Sequence, residues 1–209
     1  VGGLQGRALQ QGDMLDIGKD FGREARPREL AAEFIPRYEQ QIGLRVLLGP
    51  QDDMFTAEAI DTFFRSEYTI SDEADRMGYR LEGAKISHLG KADIVSDALP
   101  LGAIQIPAHG MPIIMMADRQ TTGGYAKIGT VIGPDLAKLA QAKPGDKIRF
   151  ENITEPEAVN VLRDERESYL RILNSWEANP ECIPEGHKRF LEITIKGVRY
   201  NVEVEEVYE

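Results

Sequence analysis

Between residues 68 and 152 the chain breaks into short apolar runs, and nothing else in it restricts the fold so strongly. "YTISD", "YRLEG", "GAIQIP", "PIIMMA", "KIGTVI" and "DKIRFENI" follow one another with Gly, Pro or Asp between them. Runs this short and evenly spaced read as strands of a closed or nearly closed barrel rather than of a parallel α/β sheet. "LRVLLGP" at 44–50 reads as one more buried strand, ended by Gly49-Pro50. Pro144-Gly145-Asp146 makes a turn, and Pro107, Gly110 and Pro112 bracket a tight loop around "AHGM". The 42% apolar fraction is ample for such a core, and no run of 18 apolar residues exists to span a membrane.

Helices interrupt the strands. "TAEAIDTFFRSEY" has Thr56 as N-cap, with Ala57, Ile60, Phe63 and Phe64 at helical spacing. "GPDLAKLAQAK" at 133–143 reads as a short helix with Leu136, Leu139 and Ala140 on its inner face. The longest helix is expected over 155–178. Thr154 and Glu157 form a capping box, and Pro156 sits where a missing N–H costs nothing. Val159, Leu162, Tyr169, Leu173 and Trp176 recur along it, and Asn179-Pro180 ends it. The last 20 residues alternate apolar and polar around Lys196-Gly197, a hairpin pattern. Residues 20–43 read as an irregular connection. The domain division expected is a barrel over 1–152 and, over 153–209, a helix with a β-hairpin packed on it.

Charge and composition exclude several functions. A net charge of −10 argues against a nucleic-acid backbone as partner, which needs clustered Lys and Arg. A single cysteine, Cys182, excludes an internal disulfide and a Cys-based zinc cluster within the chain, and it reads as inert. His88, His109 and His187 lie far apart with no i, i+4 pairing, so no metal site is expected. His109 is the best placed of the three, in the turn beside "GAIQIP". No signal peptide is visible, and the expected location is the cytoplasm.

Two segments carry the residue types of a site. In "SDEADRMGYRLEG", 71–83, Arg76 and Arg80 lie four apart among Asp72, Glu73, Asp75 and Glu82. This is either a surface ion-pair loop or a guanidinium fork for a carboxylate or phosphate. In "MMADRQTTGGYAKIGTVI", 115–132, Thr121 and Thr122 supply hydroxyls, Gly123 and Gly124 approachable amides, and Tyr125 a phenol. Asp118 and Arg119 stand ready to bind or orient a polar ligand. Residue chemistry leaves two readings open: a hairpin turn whose threonines satisfy nearby amides, or an anion-cradling nest.

"DRMGYRLEG", "LGAIQIPAHGMPIIMMADRQTTGGY" and "LAQAKPGDKIRF", in this order, resemble the KipA family. That family includes the C subunit of 5-oxoprolinase and the carboxyltransferase part of urea carboxylase, also labelled allophanate hydrolase subunit 2. The opening "GGLQGRALQQGDML" resembles a segment well inside family members, so the chain is expected to be trimmed or a naturally short member. The resemblance implies a mainly β (α+β) fold, a cyclophilin-like β-barrel with a few peripheral helices. It implies a partner that is KipI-like or the B subunit of 5-oxoprolinase, a small-molecule substrate, and activity only within the complex. The activity implied is ATP-dependent 5-oxoproline opening or carboxyl transfer to a urea-like amide. A non-enzymatic protein that neutralises a KipI-like kinase inhibitor is the rival expectation. ATP or carboxybiotin would arrive with partner subunits. No Ala-Met-Lys-Met type turn is present to carry biotin covalently.

Carried over by motif, the expected catalytic residues are Arg76, Arg80, Asp118, Thr121 and Thr122. Gln105, Pro107, Gln120, Gly123, Gly124, Tyr125, Gly78 and Tyr79 are the expected substrate-binding residues. In chemical terms, Arg76 or Arg80 would hold a carboxylate and the Gly amides with the Thr hydroxyls an oxyanion. Gln105 and Gln120 would read an amide, since each offers donor and acceptor on one side chain.

Overall fold

Seven strands close into a barrel, and all seven are among the runs marked by the sequence. The computed structural model describes residues 4–15, 30–177, 188–195 and 198–205. In chain order the strands are β1 (Gln41–Leu48), β2 (Glu67–Ile70), β3 (Gly78–Glu82), β4 (Asp93–Ala98), β5 (Ala103–Gln105), β6 (Ile113–Met115), β7 (Thr122–Tyr125), β8 (Lys127–Val131) and β9 (Lys147–Asn152). The helices are α1 (Ala57–Arg65), α2 (Gly133–Ala140) and α3 (Glu155–Glu177). Around the barrel the order is β1-β8-β5-β6-β3-β2-β9, and β9 returns beside β1 in parallel from Gln41↔Lys147 to Val46↔Asn152. β1 begins at Gln41, so the connection expected over 20–43 is strand at its end, with a 3-10 turn at Ala32–Phe34 before it.

Sequence patterning does not mark β4 and β7 as strands. They pair only with each other, antiparallel, as a two-stranded sheet outside the barrel ladder. β4 is exposed at five of its six positions, and β7 is the "TGGY" of a segment whose residue types suggest a loop. A solvated strand and a Gly-Gly strand both lack the buried alternation that marks a strand in sequence. The flanking strands β6 and β8 do not pair with each other; both pair with β5. The simple hairpin reading of 112–132 is therefore excluded by topology.

Aliphatic side chains such as Leu44, Ile104, Ile114 and Ile148 make up most of the core, and an aromatic group packs among them. Phe63 of α1 stacks on Phe150 of β9 with centroids 4.3 Å apart, and Tyr68 packs against both rings. Thr56 caps α1, its hydroxyl accepting from the Ala59 N–H at 3.0 Å. Ile60 and Phe64 pack against this core as expected, whereas Ala57 faces solvent and Ala59 is buried in its place. α2 also differs from expectation. Leu139 is buried and Leu136 packs on the core, but Ala140 is exposed and the buried partner is Asp135. Asp135 accepts from the Arg45 N–H (2.8 Å), Nε (2.9 Å) and a terminal guanidinium nitrogen (2.7 Å), with Lys138 Nζ at 2.8 Å. Burial alone would raise the Asp135 carboxyl, but the hydrogen bonds from Arg45 and Lys138 outweigh it and hold it below the usual range.

One half of the expected capping box of α3 is present, the Glu157 carboxylate accepting from the Thr154 N–H at 2.9 Å, while the Thr154 hydroxyl donates to that same carboxylate at 2.6 Å. Ala158 is buried, while Val159, Leu162, Tyr169 and Leu173 stay exposed, at 38% to 58% of their surface. The helix periodicity is real but does not mark a face in the barrel core.

The chain divides into two compact units, residues 1–31 with 180–209 and residues 32–179. In the first, β10 (Lys188–Ile195) and β11 (Val198–Glu205) form an antiparallel hairpin from Lys188↔Glu205 to Ile195↔Val198. Its Lys196-Gly197 turn, the Asn179-Pro180 stop, Cys182 and His187 lie outside the described residues, as does the Trp176 side chain. No helix among the described residues is long and apolar enough to cross a membrane.

Candidate functional site

The two motif blocks singled out in the sequence are neighbours in space. Antiparallel pairing sets Gly78 opposite Met115 and Arg80 opposite Ile113. Two further hydrogen bonds join the blocks beyond the strands, Met116 N–H to Met77 O and Asp118 N–H to Arg76 O, each 2.9 Å. Beside them opens a cleft of about 440 Å³ lined by Asp75, Met77, Gly78, Arg80, Gln105, Pro107, His109, Ile113, Met115, Gln120 and Tyr125. Its size and half-polar lining suit a small polar molecule.

The walls come from strands β3, β5, β6 and β7 and the turns beside them. Gly78 and Arg80 stand on β3. Asp75 holds the turn before that strand, its Oδ1 accepting from the Met77 N–H (2.8 Å) and the Gly78 N–H (3.1 Å). Gln105 ends β5 and is 3% exposed, with Nε2 donating to Tyr125 O at 3.4 Å. Tyr125 and Gln120 come from β7 and the loop before it. A Cβ on Gly123 would lie 2.6 Å from Gln105 Nε2, so this glycine allows the β7 backbone to lie against the Gln105 amide. The Pro107–Gly110 turn is closed by the Gly110 N–H to Pro107 O at 2.8 Å, with Gly110 at φ +83.

Six expected site residues thus line one cleft: Gly78, Arg80, Gln105, Pro107, Gln120 and Tyr125. The others are placed elsewhere. Arg76 and Asp118 make a two-pronged ion pair, Nε to Oδ2 at 3.0 Å and a terminal nitrogen to Oδ1 at 3.1 Å. Each occupies the other, and neither lines the cleft. Tyr79 points from β3 the opposite way, packs on the core and donates its hydroxyl to Ala142 O at 3.4 Å. Successive strand residues face opposite sides, so a block carried over whole always brings such a residue with it. Thr121 and Thr122 are exposed. Gly123 and Gly124 are extended in β7 with no positive φ, so they form a ladder with β4 rather than a nest. Arg119 serves the scaffold, donating from Nε to Leu99 O at 2.8 Å.

Of the two arginines considered for an anion, Arg80 is the one in the cleft. Its Nε lies 3.3 Å from Glu73 Oε2, and about half of the side chain is open to solvent. Among the lining residues it is the permanent cation, a match for one carboxylate rather than a triphosphate. His109 joins it from the loop after β5, with Nδ1 accepting from the Met111 N–H at 3.1 Å and Nε2 without a hydrogen bond among the described residues. His88 is structural: it hydrogen-bonds Ile106 O at 2.9 Å and packs on Phe55. Among the described residues no group of three His, Cys, Asp or Glu side chains is placed to hold a metal. Sequence reasoning singles out Asp75 only as a charge in reach of the arginines. The Asp-x-x-Gly spacing of a turn is the available sign of its role.

A family profile described as the carboxyltransferase domain, subdomain A and B, matches residues 1–152. The C subunit of 5-oxoprolinase from Haemophilus influenzae is 38% identical over 170 residues, 81% of this chain and 53% of that protein. That of Escherichia coli is 33% identical over 181 residues, 87% of this chain and 56% of its own length. The chain therefore spans about half the length of the curated relatives it matches. Among solved structures, the urea amidolyase of K. lactis superposes with a TM-score of 0.63 over 68% of this chain and 9% of its own, at 24% identity. That likeness supports the fold.

Proposed function

The chain belongs to the carboxyltransferase domain family, subdomains A and B, and from that membership we propose that its cleft binds 5-oxoproline within a multi-subunit 5-oxoprolinase. The observation that carries this reading is the convergence of Arg80, Gln105 and Gln120 on one small cleft. 5-Oxoproline is a five-membered lactam bearing a carboxylate. A guanidinium at one wall matches the carboxylate. Two primary amides match the lactam C=O and N–H, because each side chain both donates and accepts. His109 Nε2 and the Tyr125 hydroxyl add hydrogen-bonding groups at the rim. Urea-like amides would use the glutamines but leave Arg80 without a carboxylate. The higher identity to the C subunits of 5-oxoprolinase points the same way.

In this proposal the chain's own residues bind and orient the lactam, and ATP is handled by partner subunits, the KipI-like B subunit among them. Holding the ring by its carboxylate and amide fixes which carbonyl carbon is presented to the rest of the complex. Reconstitution of the chain with the other 5-oxoprolinase subunits and assay of glutamate release with ATP tests the reading. It predicts activity that falls by about 100-fold or more with Arg80→Met, the size of a lost charge-assisted contact. Glutamate release unchanged in that variant would contradict it.

A further inference from the structure

A buried cation lies outside the cleft lining. Lys127 on β8 is 1% exposed, and its Nζ donates to Asp97 Oδ2 at 2.8 Å. Gln51 completes the arrangement: its Nε2 donates to the same Asp97 oxygen at 3.2 Å, and its Oε1 accepts from the Lys127 N–H at 3.2 Å. Lys127 thereby ties together β8, β4 and the segment entering α1. The Asp97 carboxyl is held below its ordinary range, first of all by Lys127.

Both ends of this tether reach the cleft. Lys127 is the register partner of Gln105, the buried amide at the cleft floor. Asp97 is the register partner of Gly123, whose backbone lies against that same amide. The β4–β7 sheet shares no strand ladder with the barrel. What ties it to the barrel is the chain link through Ala126, the packing of Ile94 and Leu99 on buried residues, and a few polar contacts: this ion pair, Gln51 Nε2 to Asp97, and Gln105 Nε2 to Tyr125 O. An apolar side chain would fill the Lys127 position without an ion to desolvate, so the barrel itself gains little from a lysine there. We infer that Lys127 is a positioning residue, which through Asp97 sets the β7 wall, with Tyr125, over Gln105. The inference rests on the reading of the cleft as the ligand site.

The test uses the full chain and three variants, Lys127→Met, Asp97→Asn and the double substitution. Amide hydrogen exchange at 93–98 and 122–125 is followed beside barrel strands β1 and β5, together with thermal midpoint and 5-oxoproline affinity by calorimetry. Each single substitution should speed exchange in β4 and β7 by about tenfold or more, with the barrel strands unchanged. The double variant should go no further than the singles, because the two residues act through one contact. Lys127→Met should keep the thermal midpoint within about 3 °C while weakening 5-oxoproline binding by about tenfold. Exchange in β4 and β7 that does not change, or that rises equally in β1 and β5, overturns the inference. If the unsubstituted chain binds no 5-oxoproline, the substrate reading falls, and the exchange measurement still decides the role of Lys127.

Discussion

Among the described residues two buried charges, Asp135 and Lys127, are held in ion pairs, and the two arrangements are built differently. Asp135 on α2 is fully buried and receives three hydrogen bonds from Arg45 and an ammonium from Lys138. Lys127 on β8 is as buried, yet among the described residues its ammonium reaches one carboxylate, and that carboxylate is half open to water. The first joins a helix to a barrel strand with both carboxylate oxygens engaged. The second joins the barrel to a sheet that no ladder attaches. A saturated pair suits a fixed scaffold, whereas a single contact to an exposed acid suits a wall whose position matters to a cleft.

The contrast is sharpest on removing a partner. Arg45→Ala leaves a buried carboxylate with Lys138 alone and should cost about 3 kcal/mol or more of unfolding free energy, read by denaturant titration. Lys127→Met leaves only an exposed aspartate behind, so its effect on the same titration should be small. A loss in Lys127→Met as large as in Arg45→Ala would erase the distinction. Acid should probe the scaffold arrangement at Asp135 directly. Because the folded Asp135 carboxyl sits below its unfolded value, the unfolded chain binds more protons in acid. The stability it contributes is fully present above about pH 4 and is lost as pH falls through the folded value. Asp135→Asn should flatten that part of the stability profile.

Gly123→Ala probes the site side. The added methyl must displace the Gln105 amide, which is buried and close to Tyr125 O. Ligand binding should weaken by about tenfold, as expected for a misplaced polar contact, while the barrel unfolds nearly as before. The smallest effect belongs to Tyr68→Phe. The Tyr68 hydroxyl is buried without a partner among the described residues, and burial pushes the phenol up to about 12. Its neutral form is favoured in the fold, so stability should fall as pH rises from about 10 through about 12. Tyr68→Phe should remove that alkaline slope and change stability at neutral pH by about 1 kcal/mol or less.

The barrel was legible because its strands are apolar on their inner positions and are separated by Gly, Pro or Asp; "YTISD" and "DKIRFENI" show both signs. β4 and β7 were not, since "DIVSDA" is solvated and "TGGY" has no side-chain pattern to read. For the site, motif resemblance brought Arg80, Gln105, Gln120 and Tyr125 into view, and the structure joins them in one cleft. It did not distinguish Arg80 from Arg76, because the Asp118 pairing that occupies Arg76 spans 42 residues. Nor did it reveal Lys127, which in sequence is one lysine between apolar residues. Its burial arises only when β8 is enclosed between β1 and β5.

The central claim is that Arg80, Gln105 and Gln120 form the carboxylate-and-amide grip of one ligand cleft. Nuclear magnetic resonance titration of the full chain with 5-oxoproline addresses it directly. The account predicts shifts in the Gln105 and Gln120 side-chain amides and in Tyr125, with affinity at least about tenfold weaker in Arg80→Met. Shifts confined to other surfaces, or equal affinity in Arg80→Met, would contradict it.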